Sequence, residues 1–342
     1  MAPSETVSVI VVAYNAANRL PETIRALARL ETPRDVQFEF IFVDNCSTDG
    51  SSGVVVREWQ EVGGLDKFGP WAVLQESRPG SAFARRTGMA HASGDVLLLV
   101  DDDNALHPPY VARGLDLMRS RPRLGACGGV GQVSSTVQIP DWFAEAESLY
   151  VCGERGLGQS IILPTAGLMV RRSALLELDA VGFRPVLNGR VGADTMCGED
   201  SELTAAISLL GWELWKEHHM RFDHCLEPRR LTEEYCMQLT QGIGRSNVFV
   251  AEYMRWVARQ SGRRVIKFAV PWLLTLALQR VLYALQLLLT RGDTFAVRQR
   301  RAMLVGLRDG AAMGLRIGRF RKLRSEIRKL CARVQRYRVG RV

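Results

Sequence analysis

Gly94-Asp95-Val96-Leu97-Leu98-Leu99-Val100-Asp101-Asp102-Asp103-Asn104 is the most informative segment of the chain. Five consecutive apolar residues, Val96 to Val100, describe a strand buried on both faces, as in the middle of a parallel sheet. The strand runs into three carboxylates before Pro108 and Pro109 open a new element. Adjacent acids repel one another, so the stretch calls for a compensating cation, and a hard divalent ion with oxygen ligands is the natural one. A solvated acidic turn ahead of a helix has the same composition, and the rest of the chain must decide between the two.

Working outward, residues 7–13 and 38–43 read as further buried strands and 71–74 as a shorter one. Between the first two, Leu20, Ile24, Leu27 and Leu30 share one helical face. The βαβαβαβ alternation predicts an α/β fold with a parallel sheet and covering helices. Ligands of such sheets bind beyond the carboxyl ends of the strands, where Tyr14, Asp44 and Asp101 to Asp103 all fall. The first strand-to-helix turn has no glycine to admit a dinucleotide pyrophosphate, and no P-loop is present. What the site does offer suits a nucleoside diphosphate held through a bridging metal: Tyr14 to stack on a base, Asp44 for polar groups of base or ribose, Arg85 near phosphate, and the acid cluster for an ion.

The chain has 342 residues, of which 47% are apolar, enough for one large α/β domain and an appendage. Its seven cysteines are scattered and include no Cys-x-x-Cys pair, which excludes a zinc ribbon or disulfide framework and predicts reduced, buried thiols in a cytosolic compartment. No secretory leader pattern precedes the first strand. The net charge of +9 is unevenly spread: residues 253–342 carry 22 Lys and Arg against 3 Asp and Glu, and residues 1–252 carry 23 against 33. We therefore expect two units, a catalytic domain over 1–252 and a basic helical region over 253–342.

Four segments in order, 7–15, 43–50, 84–88 and 100–103, resemble the family 2 glycosyltransferases of the GT-A fold. The likeness continues through Gly167 to Arg172, Gly182-Phe183, Gly198-Glu199-Asp200 and His224, and covers roughly residues 7–250. It implies a Rossmann-like, mostly parallel sheet and transfer of a sugar from a UDP-, GDP- or dTDP-sugar, with inversion and with Mg²⁺ or Mn²⁺. On the matching positions it implies donor contacts from Ala13, Tyr14, Asn15, Asp44, Arg85, Asp101 and Asp102, with Asp44 at the base. Asp103, Asp101 and His224 would serve the metal, and Gly167 would lie on the acceptor side. Asp200 would be the general base, with Glu199 its internal competitor; both acids also suit the first turn of a plain helix. His224 could equally be a satisfied histidine on a strand, and Asp102, on an extended stretch, would point away from its neighbours.

Residues 127–131 followed by Pro140-Asp141-Trp142-Phe143 read as an acceptor-side strand and a loop with exposed aromatics, with hydrophobic core as the competing reading of Trp142. Gln241-Gly242-Ile243-Gly244-Arg245-Ser246 lacks the Trp of the Gln-x-x-Arg-Trp motif of processive synthases, which favours single-sugar transfer over polymerisation. In the tail, residues 268–290 are long enough to span a bilayer, but the central Arg280 favours a helix lying in the interface, anchored by Trp272 and followed by a basic segment facing anionic headgroups. The expectation is a peripheral or monotopic enzyme on the cytoplasmic face of the inner membrane, acting on a lipid-linked or polysaccharide acceptor. A non-catalytic nucleic-acid-binding protein would use the basic tail but leave the strand-end acids without a purpose, so no nucleic-acid partner is expected.

Overall fold

The structure, a computed structural model, describes residues 5–187, 189, 197–260, 281, 285, 294–316 and 319–339. Four parallel strands form the part of the sheet read from the sequence: β1 (Glu5–Ala13), β2 (Val36–Asp44), β3 (Trp71–Gln75) and β4 (Val96–Asp101), side by side in the order β3-β2-β1-β4. Register brings their carboxyl ends together, with Ala13 opposite Asp44 and Val12 opposite Asp101. The apolar run of β4 is buried throughout, as a strand covered on both faces requires.

Beyond β4 the sheet turns mixed. β8 (Leu168–Arg171) runs antiparallel between β4 and β6 (Leu124–Ser134), and β6 pairs in parallel with the long β9 (Glu213–Cys225). β9 also carries the short β5 (Asn104–Leu106) and β7 (Gly158–Ser160), both antiparallel. The pairing of β5 with β9 sets Asn104 opposite His224, so the acidic turn is brought beside a histidine 120 positions later in the chain.

The helices α1 (Leu20–Ala28), α2 (Ser51–Glu61), α4 (Ser81–His91), α5 (Tyr110–Ser120) and α7 (Arg172–Ala180) follow strands; α3 (Gly64–Phe68) follows α2, and α6 (Phe143–Ala146) is a single turn. α8 (Glu199–Leu209) opens at Gly198, whose φ of +100° favours glycine and whose added Cβ would meet Ser246 at 3.0 Å. α9 (Glu233–Gln260), α10 (Phe295–Arg316) and α11 (Arg319–Val339) complete the described chain.

The division expected at 252/253 falls inside α9. α10 crosses α9 closely, with a Cβ on Gly306 meeting the Gln241 carbonyl at 2.2 Å and one on Gly310 meeting that of Arg245 at 2.5 Å. Ile327, Leu330, Cys331 and Val334 of α11 are buried in the same core as Ile10, Leu97 and Phe249. The expected helical C-terminal region is present, and its described helices pack onto the rest of the chain, where the apolar stripe of α11 has a protein face to cover. Residues 268–290 lie outside the described residues apart from Val281 and Leu285, and among the described residues no helix is long and apolar enough to cross a membrane. All seven cysteines are free, but Cys46, Cys197 and Cys225 are half-buried rather than buried.

Candidate active site

A cleft of about 780 Å³ opens at the carboxyl ends of β1 and β4, a volume typical of sites that enclose small molecules. Among the described residues six carboxylates line it: Asp101, Asp102, Asp103, Glu199, Asp200 and Glu227. Five of the six have a cation. Arg85 donates to Asp101 at 2.8 Å and to Glu199 at 3.1 Å; Arg19 donates to Asp102 at 3.0 Å and lies 3.3 Å from Glu227; Arg230 donates to Asp103 at 2.5 Å. The repulsion read into three adjacent acids is thus answered by a different arginine for each. Asp102 sits in a turn, not on an extended stretch, and so lines the same cleft as its neighbours rather than pointing away.

Asp200 is the sixth. Its Oδ1 accepts the Ser201 N–H at 2.6 Å, and it forms no ion pair among the described residues. Burial and the neighbouring Glu199 charge push its carboxyl up to about 6. Glu199 moves the other way: burial opposes ionisation, but Arg85 and a 2.7 Å hydrogen bond from Ser81 hold it below the usual range. Helix α8 thus presents two adjacent acids in opposite electrostatic states.

His224 extends from β9 between two partners. Its Nδ1 donates to the Tyr150 carbonyl at 2.6 Å, and its Nε2 lies 3.2 Å from Asp103 Oδ2. Burial lowers its affinity for a proton, but the Asp103 charge outweighs this and raises it to about 10; Asp103 is correspondingly held far below the usual carboxylate range. Both ring nitrogens face oxygen acceptors, the pattern of an imidazolium; with Nδ1–H held by the backbone carbonyl, Nε2 would become a metal donor on giving up its proton. Asp103 and His224 therefore fit a divalent ion as a pair. Asp101 does not join them: it is turned to Arg85, and among the described residues no three His, Cys, Asp or Glu side chains gather at one point. Of the three residues expected to serve a metal, Asp103 and His224 face each other and Asp101 is bonded to Arg85.

The other expected residues separate into lining and support. Ala13 and Tyr14 line the cleft, with Tyr14 60% exposed, so its ring face is open. Asp44 is buried beneath Asn45 and Cys46, which do line it, and its carboxylate accepts from Ser47 N–H at 2.9 Å and Ser52 Oγ at 2.6 Å. Asn15 clasps the same loop through a 2.8 Å bond from Thr48 N–H to its Oδ1. Gly167 lies outside the lining, its carbonyl accepting from the buried Tyr110 hydroxyl.

The aromatic loop is not exposed. Phe143 is buried, and Trp142 stacks on Phe295 with ring centroids 5.0 Å apart. The helix that covers these rings begins 150 positions later, which local reading could not supply. Arg19, Arg230, Glu227 and Tyr150 were not singled out from the sequence. The acid cluster's need for cations was the signal for the two arginines; nothing local marked Tyr150.

Residues 8–175 match the glycosyl transferase family 2 model. Glycosyltransferase AglE of Haloferax volcanii is 28% identical over 274 residues, 78% of this chain and 80% of that protein. Undecaprenyl-phosphate 4-deoxy-4-formamido-L-arabinose transferase of Salmonella choleraesuis is 29% identical over 112 residues, 33% of each chain. Among solved structures, the mannosyltransferase PcManGT from Pyrobaculum calidifontis, in complex with GDP-Man and Mn²⁺, superposes with a TM-score of 0.52 at 20% identity, covering 97% of this chain and 87% of that one. The strand-end cleft, the acids that line it and these likenesses agree: the chain belongs to glycosyltransferase family 2, with the GT-A fold, and is a glycosyltransferase.

Proposed function

We propose that the enzyme transfers a single sugar, with inversion and with help from Mg²⁺ or Mn²⁺, from a nucleotide-sugar to a hydroxyl of a lipid-linked or glycan acceptor. The observation that carries this reading is that Asp200, alone of the six cleft carboxylates named above, forms no ion pair among the described residues. An acceptor hydroxyl is a poor nucleophile until a base removes its proton during attack, and Asp200, raised to about 6, is ionised near neutral pH yet still basic enough to accept that proton.

In this reading Tyr14 stacks on the base, and Asp44 and Asn15 stiffen the loop that bounds it. Arg85 ties the end of β4 to the start of α8, fixing the distance between donor acids and base. Asp103 and His224 would hold a divalent ion, which would supply Lewis-acid neutralisation of the charge on the departing diphosphate. Asp200 stands on a different element from those ligands, as a base on the far side of the sugar must.

The relative named for an undecaprenyl-phosphate substrate supports a lipid-linked acceptor. The exposed Lys322, Arg328, Lys329 and Arg336 of α11 support a peripheral contact with an anionic membrane on its cytoplasmic face, where acceptors of this kind present their polar ends. Thermal unfolding with UDP-, GDP- and dTDP-sugars, with and without Mn²⁺, tests the donor part. A ligand of the folded state raises the melting temperature, and no metal-dependent rise with any of them refutes the reading.

A further inference from the structure

The metal pair and one arginine compete for a single atom. Asp103 Oδ2 takes both the His224 Nε2 contact at 3.2 Å and the Arg230 Nη1 hydrogen bond at 2.5 Å, while Oδ1 accepts from Asn104 Nδ2 at 3.1 Å. A divalent ion held by Asp103 and His224 would draw on the same carboxylate as Arg230, on the side where His224 Nε2 and Arg230 Nη1 already converge. A doubly charged ion and a guanidinium crowded onto one carboxylate oxygen repel each other, so the binding of one weakens the hold of the other.

Arg230 is built to survive that loss. Its backbone is pinned independently, the Tyr150 hydroxyl donating to the Arg230 carbonyl at 3.0 Å. Tyr150 thereby fixes both rivals, His224 through its carbonyl and Arg230 through its hydroxyl. The guanidinium lies 5.8 Å from the centre of the Tyr235 ring and lines the cleft, and its buried Nε has no hydrogen-bond partner among the described residues. A planar fork with an unused donor, on a fixed backbone beside a metal pair, matches the oxygens of a diphosphate.

We propose that Arg230 is an exchangeable cation, which gives up Asp103 to the divalent ion and turns its guanidinium to the diphosphate of the donor. This rests on the nucleotide-sugar reading above, and it assigns Arg230 a diphosphate-binding role beyond neutralising Asp103. Because Arg230 opposes the ion and favours the nucleotide, its removal has opposite effects on the two ligands.

Arg230→Met keeps the apolar stem and removes the charge. Mn²⁺ binding to the full chain, read by electron paramagnetic resonance without nucleotide, is expected to tighten. Binding of UDP, GDP or dTDP at saturating Mn²⁺, read by calorimetry, is expected to weaken by about tenfold or more, the scale of one charge-assisted hydrogen bond. Unchanged nucleotide affinity, or a loss of Mn²⁺ affinity alongside it, overturns the exchange. If the Met variant does not fold, Arg230→Lys carries the test: charge without the fork should leave Mn²⁺ affinity near wild type and weaken the nucleotide, and equal losses overturn the proposal. Wild-type protein that binds none of the three diphosphates overturns both this inference and the function it rests on; wild-type binding with an indifferent Arg230 overturns only the former.

Discussion

The cleft contains two acid clusters that look alike in sequence and differ in what surrounds them. At the end of β4, Asp101, Asp102 and Asp103 each meet an arginine, and their charge is spent on holding cations in place. At the start of α8, Arg85 takes Glu199 and leaves Asp200 with no ion pair among the described residues, next to a like charge. A guanidinium beside a carboxylate lowers its proton affinity, and at Glu199 Arg85 prevails over burial; at Asp102 burial and the Asp103 charge outweigh Arg19 and push it up to about 7, and Asp200, with no ion pair among the described residues, is raised to about 6. The chemistry of each acid therefore follows from burial and partner together more than from its position in a motif.

The sharpest way to break this contrast is to remove the unpaired member. Asp200→Asn is expected to cost sugar transfer at least about 10²-fold while leaving nucleotide and Mn²⁺ affinity in place, which initial rates and calorimetry together would check. Asp103→Ala acts on the other cluster and should have the opposite profile. It removes the oxygen shared by His224 and Arg230, so Mn²⁺-dependent nucleotide binding should fall by about 10- to 100-fold while the melting temperature shows the fold intact. Undiminished metal-dependent affinity in this variant would show that the ion is held elsewhere.

The acids were legible in the sequence because adjacency and strand pattern are local properties, and so was the parallel half of the sheet. Their partners were not. Arg19 is 83 positions from Asp102 and Arg230 is 127 from Asp103, and only the pairing of β5 with β9 brings the latter side of the cleft around. The tail shows the same limit in another form. Its charge was read directly, but Ile327, Leu330, Cys331 and Val334 are spaced for a helix face that could as well meet a membrane as a protein, and only the folded chain shows that they meet the core. Trp142 was left between two readings for want of Phe295, and the stacking of those rings favours the packing one.

A pH profile tests the contrast without altering a residue. If Asp200 is the base, transfer requires its ionised form, so kcat/KM should be level above about pH 6 and decline below it, approaching tenfold for each further unit. Asp102, which burial and the Asp103 charge push up to about 7 despite Arg19, is the other cleft acid that titrates in this range, so the comparison with Asp200→Asn assigns the limb. Asp200→Asn should abolish the decline in whatever activity remains, and an unchanged acid limb in that variant would assign it to another group.

The smallest effect is the most discriminating, because it concerns the neighbour that shares the motif. In Glu199→Gln the amide oxygen can still accept from Ser81, and Arg85 keeps Asp101, so the local hydrogen bonding should persist. What disappears is the negative charge beside Asp200, which is one of the causes of its raised proton affinity, second to burial. Without that charge Asp200 ionises more readily, so the acid limb should move to lower pH. Transfer near pH 7 should fall only about severalfold, since a weaker base is slower but still ionised. Measured side by side with Asp200→Asn, a displaced limb with modest loss fits an electrostatic neighbour. A loss as large as that of Asp200→Asn would instead make Glu199 the base, and would show that a carboxylate bound to Arg85 can give up its partner during catalysis.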